Sequence, residues 1–286
     1  MFRWFFPFTV SLFLTRAVIR TSKRLNKYQP ISSAVNHSHK TNTPSMGGIA
    51  IFASFMLTHL ISSLLGLNRG REHIYYVYSI CFILGIADDV RKISMQNNKG
   101  LRKLSKFVIL SAALLIYFLI NRYDISTSIV NSIIIIVSAA AADILDGLDG
   151  LLGTAAIISL VALGSGPCIV LAGSILGFLN YNIKPARIFM GDGGAMMIGG
   201  FIGCALIDKP SYWWALFMVP IVNLAAVGLK LLLVKLKLNH SFFKAPLHHF
   251  LEDKIGESGA VASILTVHAI TTIAVYLVIK GMSSHY

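Results

Sequence analysis

Six aspartates in three glycine-bearing stretches are the residues whose types and spacing could do chemistry. Asp88 and Asp89 stand side by side in GIADDVRK, Asp143, Asp146 and Asp149 recur every third residue in ADILDGLDG, and Asp192 sits among glycines in FMGDGGA. In a helix the three-residue spacing would set Asp143, Asp146 and Asp149 on one broad face, while Gly147 and Gly150 permit a tight turn. Gly191, Gly193 and Gly194 would let backbone come close to a phosphate. Clustered carboxylates repel one another and raise each other's pKa unless a cation lies between them. Oxygen ligands of this kind suit Mg²⁺ or Mn²⁺, and Mg²⁺ is usually shared between one or two carboxylates and substrate phosphates. One acidic pair alone would read equally well as solvated helix-end acids neutralised by Arg91, Lys92, Lys184 or Arg187. The three groups together point to a magnesium-dependent phosphoryl-transfer site.

Two further stretches carry weaker signals. In APLHHFLED, His248, His249 and Glu252 could bind a metal or a phosphate, but adjacent histidines point in different directions and zinc needs more ligands. A structural role fits them equally well. In HSHKTNTPSMGG, His37, His39 and Lys40 precede a Pro44 turn and a Gly47-Gly48 helix start, an arrangement that could meet an anion.

The elements that must position these residues are set by composition. The 286 residues are 55% hydrophobic and 13% charged, with a mean hydropathy of +0.71. That is too apolar for an ordinary soluble domain, where about a quarter of residues are charged. A span needs about 20 apolar residues, and fewer in short helices. The length therefore holds about ten spans and no separate soluble domain. The expected fold is all-α, a polytopic integral membrane protein formed as one transmembrane domain over 1–286. A net charge of +13 on so apolar a chain reflects anchoring against anionic membrane lipids and does not point to nucleic acid. Cys81, Cys168 and Cys204 lie inside apolar runs with no metal-ligand spacing and no sign of a disulfide framework.

Apolar runs lie near 2–19, 49–67, 74–87, 107–120, 129–142, 151–164, 167–180, 194–207, 212–234 and 260–280. The first carries Arg16 and Arg20 at its far end and no small-residue cleavage site, so it reads as a retained helix. Positively charged short loops stay in the cytoplasm. With odd-numbered helices running inward, the inward loops hold 18 of the 25 Lys and Arg, and nine of the twelve acids fall on that same side without having been used to choose it. Gly199 and Gly203 form a GxxxG that permits close helix packing.

Taken in order, HKTNTPSMGG, GIADDVRKISMQNNKGLRKLSK, DILDGLDGL, GFLNYNIKPARIFMGDGG and APLHHFLE resemble the ordered motifs of the bacterial phospho-N-acetylmuramoyl-pentapeptide transferases, within the polyprenyl-phosphate N-acetylhexosamine-1-phosphate transferase superfamily. The resemblance spans 37–257. It implies ten helices in the bacterial inner membrane, a cytoplasmic active site, Mg²⁺ dependence with Mn²⁺ as substitute, and transfer of a sugar-1-phosphate from a UDP-sugar to undecaprenyl phosphate with release of UMP. By matching position it implies Asp88, Asp89, Asp192 and His248 as catalytic residues. It implies metal on Asp192 and Asp146, and substrate contacts from Lys40, Asp143, Asp146, Asp149, Phe189 and His249, with Phe189 stacking on uracil. The APLHH form is similar to the muramoyl-pentapeptide branch, whose donor is UDP-N-acetylmuramoyl-pentapeptide. The chain departs from the family pattern at Ala140 and Asp143, where asparagines are usual, at Ala195 for serine, and at Phe250 for a third histidine.

On this expectation Mg²⁺ bridges the donor diphosphate, Lys40 and His248 add positive charge, and Asp88 or Asp89 either deprotonates the lipid phosphate or forms an aspartyl-phosphate. Two other readings stay open: an N-acetylglucosamine-1-phosphate transferase for a surface glycan, and a transporter or degenerate scaffold. Transporter acids should lie near the bilayer midplane between two related halves, and here they gather at one face. A homodimer is compatible with the sequence.

Overall fold

The computed structural model describes residues 2–25, 43–66, 72–95, 100–210, 213–236 and 245–283. Among them the chain forms ten helices: α1 (Phe2–Arg24), α2 (Gly48–Leu64), α3 (Glu72–Ser94), α4 (Lys103–Ile120), α5 (Ile125–Leu145), α6 (Leu151–Leu163), α7 (Gly166–Asn182), α8 (Gly191–Asp208), α9 (Trp213–Lys235) and α10 (Leu247–Ser283). A lipid-embedded backbone can satisfy its amides only within helices or closed barrels, and the apolar runs take the first solution. The protein is an all-α polytopic membrane protein. The helices at 2–24, 73–94, 125–145 and 247–281 are long and apolar enough to cross a bilayer by themselves, and 48–64, 104–120 and 151–163 are shorter apolar helices.

Each apolar run coincides with a helix over most of its length, and α3 and α10 reach farthest past one end of theirs. α3 continues past the run at 74–87 to Ser94 and carries Asp88 and Asp89 inside its last turns. α10 begins at Leu247, thirteen residues before the run at 260–280, because the polar stretch LHHFLEDKIGESG is also helical. Its backbone is broken at Gly256, with φ 74° and ψ 164°.

α8 is the axis of the bundle. All its residues from Gly193 to Leu206 are buried, and it packs most extensively on α3 and α5. Small residues make this possible: a Cβ on Gly199 would stand 2.7 Å from Ala139 Cα, and one on Gly203 2.8 Å from Ser138 Cβ. The GxxxG therefore meets α5 backbone to backbone, as small-residue motifs in membranes do. On the other side, a Cβ on Gly85 of α3 would stand 2.6 Å from Gly193 Cα. Cys81, Cys168 and Cys204 form no disulfide and are buried among the packed helices.

Polar side chains join the remaining helices. Ser54 of α2 donates to Pro7 O of α1 at 2.7 Å and lies 3.1 Å from Ser174 Oγ of α7. His268 of α10 sits 3.0 Å from Ser159 Oγ and 3.2 Å from Ala155 O of α6. Such bonds between helices are each worth about 0.6 kcal/mol on average in membranes. At the start of α5 the Asp124 side chain accepts from Thr127 N–H at 2.9 Å, an N-cap that fixes where the helix begins.

The close approach of α3 to α8 sets a test. Gly85→Ala should lower stability by about 1–3 kcal/mol, because the facing atoms are backbone and cannot rotate away. Gly281→Ala, where nothing lies within 4 Å, should leave the thermal transition in detergent unchanged or slightly raised. Equal transitions for the two variants would show that α3 and α8 do not need glycine contact.

Candidate active site

The end of α3 and the start of α8 meet through a carboxylate. Asp89, fully buried, accepts from Asp192 N–H on Oδ1 at 3.0 Å and from Gly193 N–H on Oδ2 at 2.9 Å. An anion at a helix N-terminus satisfies amides that have no partner within the helix and complements its dipole. Gly191 precedes them with φ +78°, and a Cβ there would stand 2.6 Å from Asp89 Oδ2, so glycine is required both for the backbone angle and for the room. The segment leading into α2 clasps the same corner. Phe189 N–H donates to Pro44 O at 2.8 Å, Gly47 N–H to Phe189 O at 2.9 Å, and Gly48 N–H to Met190 O at 2.9 Å.

Two lysines sit among the other acids. Lys92 Nζ lies 2.8 Å from Asp88 Oδ2 and 2.8 Å from Asp192 Oδ1. Lys106 Nζ, from the first turn of α4, lies 2.6 Å from Asp192 Oδ2 and 3.6 Å from Asp143 Oδ2. Asp88 Oδ1 also accepts from Leu101 N–H. These side chains form the polar floor of a cavity of about 400 Å³, whose walls include Phe107 of α4, Ile144 of α5 and Leu224, Val227 and Leu231 of α9.

The turn after α5 holds the rest of the triplet. Asp146 is the first residue beyond the helix, and its carboxylate makes no hydrogen bond or ion pair with the described residues. Burial first, then the charges of Asp143, Asp192, Asp89 and Asp149, push its carboxyl well above the usual carboxylate range. Asp149 faces elsewhere: Oδ2 accepts from Ala186 N–H at 3.0 Å, and its own N–H donates to Glu257 Oε1 at 3.2 Å. Gly150 N–H reaches Asn182 Oδ1 at 3.2 Å, and Lys184 pairs with Glu257 at 3.1 Å. Asp149 thus ties the turn to the segment that leads into Phe189 and Asp192.

The two histidines diverge. His248 is buried, with Nδ1 3.2 Å from Asn223 Oδ1 of α9 and Nε2 against Gly147 of the aspartate turn. His249 Nδ1 instead lies 3.0 Å from Glu252 Oε2. Lys254 Nζ stands 4.4 Å over the Phe250 ring.

The structure therefore brings together Asp88, Asp89, Asp143, Asp146 and Asp192, sets His248 beside the turn that carries Asp146, and leaves Asp149 and His249 in contacts of their own. Phe189 adjoins the corner through its backbone, and Lys40 lies outside the described residues. Sequence reasoning did not assign roles to Lys106 and Asn223. A lone asparagine in the apolar stretch of α9 was the available signal for the second. For Lys106 there was none, since it is one of several cations in a basic loop.

The hard oxygens of Asp192 and Asp146 are of the kind a divalent cation of the magnesium type takes, and Asp146 has no ion-pair partner among the described residues. Among the described residues no three carboxylate, imidazole or thiol groups form a ready-made cage. Mg²⁺ commonly takes one or two carboxylates and completes its shell with water and phosphate.

The family model described as Glycosyl transferase family 4 matches residues 73–209, which takes in every aspartate of the cluster and both lysines. Similar curated proteins are phospho-N-acetylmuramoyl-pentapeptide-transferases. That of Clostridium botulinum (strain Alaska E43 / Type E3) is 33% identical, over 85% of this chain and 83% of its own length. That of Prochlorococcus marinus (strain MIT 9312) is 30% identical, over 86% and 81%, and that of Staphylococcus carnosus (strain TM300) 28% identical, over 93% and 94%.

Removing Asp89 strands two buried amides at once. Asp89→Ala should cost about 1–3 kcal/mol of stability, read as a lowered thermal transition in detergent. An unchanged transition would mean that the start of α8 is held by something other than this carboxylate.

Proposed function

This chain belongs to the phospho-N-acetylmuramoyl-pentapeptide-transferase family, and from that membership we propose that it transfers phospho-N-acetylmuramoyl-pentapeptide from its UDP-linked donor to undecaprenyl phosphate. The products are UMP and the first lipid-linked peptidoglycan precursor. The observation that carries the reading is the cavity, whose floor is charged and whose wall is apolar. Phosphates need the first surface and a prenyl chain the second. The site faces the cytoplasm of a bacterial inner membrane, a reading supported by the lysines and arginines that flank its aspartates along the chain, which the positive-inside rule keeps in the cytoplasm.

The chemical difficulty is to bring two anionic phosphates together. Lys92 and Lys106 offer fixed ammonium groups on the cavity floor, which screen that repulsion and orient the phosphates. An oxygen of the lipid phosphate attacks the sugar-bearing phosphorus, the bond from that phosphorus to the bridging oxygen breaks, and UMP leaves with the electron pair. Asp88 is placed to take the proton from the lipid phosphate, since it lines the cavity. The same position suits the covalent route, in which its carboxylate attacks first and the lipid phosphate then displaces it. Asp89 is not among the residues lining the cavity, and its carboxylate caps the start of α8, so Asp89 holds the frame. Asp192 and Asp146 would hold Mg²⁺, which when bound supplies neutralising charge to the diphosphate and to the departing UMP. His248 turns toward Gly147 of the aspartate turn, and Lys40 is a further cation for the donor phosphates.

The test is UMP release from purified protein given undecaprenyl phosphate and Mg²⁺. UDP-N-acetylmuramoyl-pentapeptide should be consumed and UDP-N-acetylglucosamine should not. Turnover of the second alone would move the chain to the N-acetylglucosamine branch, and turnover of neither would reject the enzyme reading.

Two variants refine it. Asp192→Asn keeps shape and removes charge, and should reduce turnover by roughly two orders of magnitude or more in a protein that still unfolds cooperatively. It should unfold at a lower temperature, because Lys92 and Lys106 each lose an ion-pair partner. Near-normal turnover at ordinary Mg²⁺ would reject Asp192 as a ligand. Phe189→Leu should raise the KM for the donor about five- to a hundredfold with little change in kcat, as expected for a lost stacking contact of about 1–3 kcal/mol. An unchanged KM would remove uracil stacking from that ring.

A further inference from the structure

Lys106 is a buried ammonium within reach of three carboxylates. Its side chain is 5% exposed, and Nζ lies 2.6 Å from Asp192 Oδ2, 3.6 Å from Asp143 Oδ2 and 4.0 Å from Asp88 Oδ2. The first is a short charge-assisted hydrogen bond, and the other two lie beyond that range. The second oxygen of Asp192 is also taken, by Lys92 at 2.8 Å. Both oxygens of the carboxylate assigned above to Mg²⁺ are thus held by ammonium groups. A dication on Asp192 would bring two further positive charges against both ammonium groups and repel them, and a buried ammonium left without a partner is strongly unfavourable.

Resting on that reading of Asp192, we propose that Asp143 is a positioning residue that receives Lys106 when a divalent cation takes its place on Asp192. Asp143 sits at the end of α5, which packs on α4, the helix that carries Lys106. Its carboxylate lines the same cavity. Closing the gap of 3.6 Å to an ordinary ion-pair distance of about 2.8 Å takes only a small change in the lysine side chain. Asp88 is the poorer receiver. It stands farther away, at 4.0 Å, and its Oδ2 already carries Lys92 at 2.8 Å, so a second ammonium there would crowd the first. The lysine exchanges carboxylates and stays paired throughout, so the site can pass between cation-free and cation-bound states without exposing a bare buried charge.

The exchange makes a prediction about coupling that a simple electrostatic role does not. Without Asp143 the lysine loses its nearer receiver and holds Asp192 more tightly, so a cation binds less well. Without Lys106 there is nothing to receive, and Asp143 ceases to matter. Mn²⁺ is the probe, titrated into the full-length protein in detergent without substrates and followed by loss of the free-ion electron paramagnetic resonance signal. Asp143→Asn should weaken Mn²⁺ binding about five- to tenfold, a size typical of coupled neighbours. Asp143→Glu should restore it, and Lys106→Met should tighten it. In the Lys106→Met background, Asp143→Asn should change the affinity by less than about twofold. Lys106→Gln replaces Lys106→Met if the latter shows no thermal transition.

An equal weakening by Asp143→Asn in both backgrounds would make Asp143 a ligand or a plain charge and overturn the exchange. So would wild-type affinity in Asp143→Asn. Failure of the underlying metal reading looks different: Mn²⁺ binding would then be insensitive to Asp192→Asn, which overturns the assignment of Asp192 and the exchange with it.

Discussion

The Asp89 carboxylate accepts from the Asp192 and Gly193 amides, and this contact sets the position of everything around it. α8 is buried along its length and cannot slide or rotate without disturbing α3 and α5, so fixing its first turn fixes the Asp192 side chain as well. Gly85, Gly191 and Gly193 let the two helices come close enough for one side chain to span the gap. The adjacent Asp88 then projects to the cavity. Two neighbouring aspartates of the same chemistry thereby take different work, one capping α8 and one lining the cavity floor with Lys92.

Charge is the second constraint. Carboxylates at the end of a lipid-embedded bundle are costly unless neutralised, and the chain answers with lysines from two helices that each touch more than one acid. Truncating either lysine leaves an uncompensated buried charge, which usually costs more than the ion pair contributes relative to apolar packing. Such a floor is preorganised for anions arriving with their own counter-ion, and the apolar side chains of α9 above it suit the tail of an amphiphile.

The sequence was informative where physics acts locally. Long apolar runs can only be helices in lipid, so all ten appeared, and acids at their ends announced the site. Lysine and arginine counts drew the acids to one face. What stayed hidden depends on packing between distant segments. The polar stretch LHHFLEDKIGESG is helical because His248 finds Asn223 and Glu257 finds Lys184 and Asp149 N–H. Asp149 looked the equal of Asp146 by spacing, yet the turn after α5 sends one to a backbone amide and the other among carboxylates. Lys106 is indistinguishable in the basic loop until α4 packs beside α5.

The break at Gly256 has a mechanical meaning. α10 is the longest helix of the bundle at 37 residues, and a membrane that thickens or thins tilts its long helices. An unbroken rod would carry His248 through an arc with every such tilt. Here the joint at Gly256 is followed at once by Glu257, clamped to Lys184 and to the Asp149 amide, while His248 on the other side is anchored to Asn223. The break lets the segment that carries His248 take its own direction, so that Asn223 rather than the rest of α10 sets where the imidazole stands.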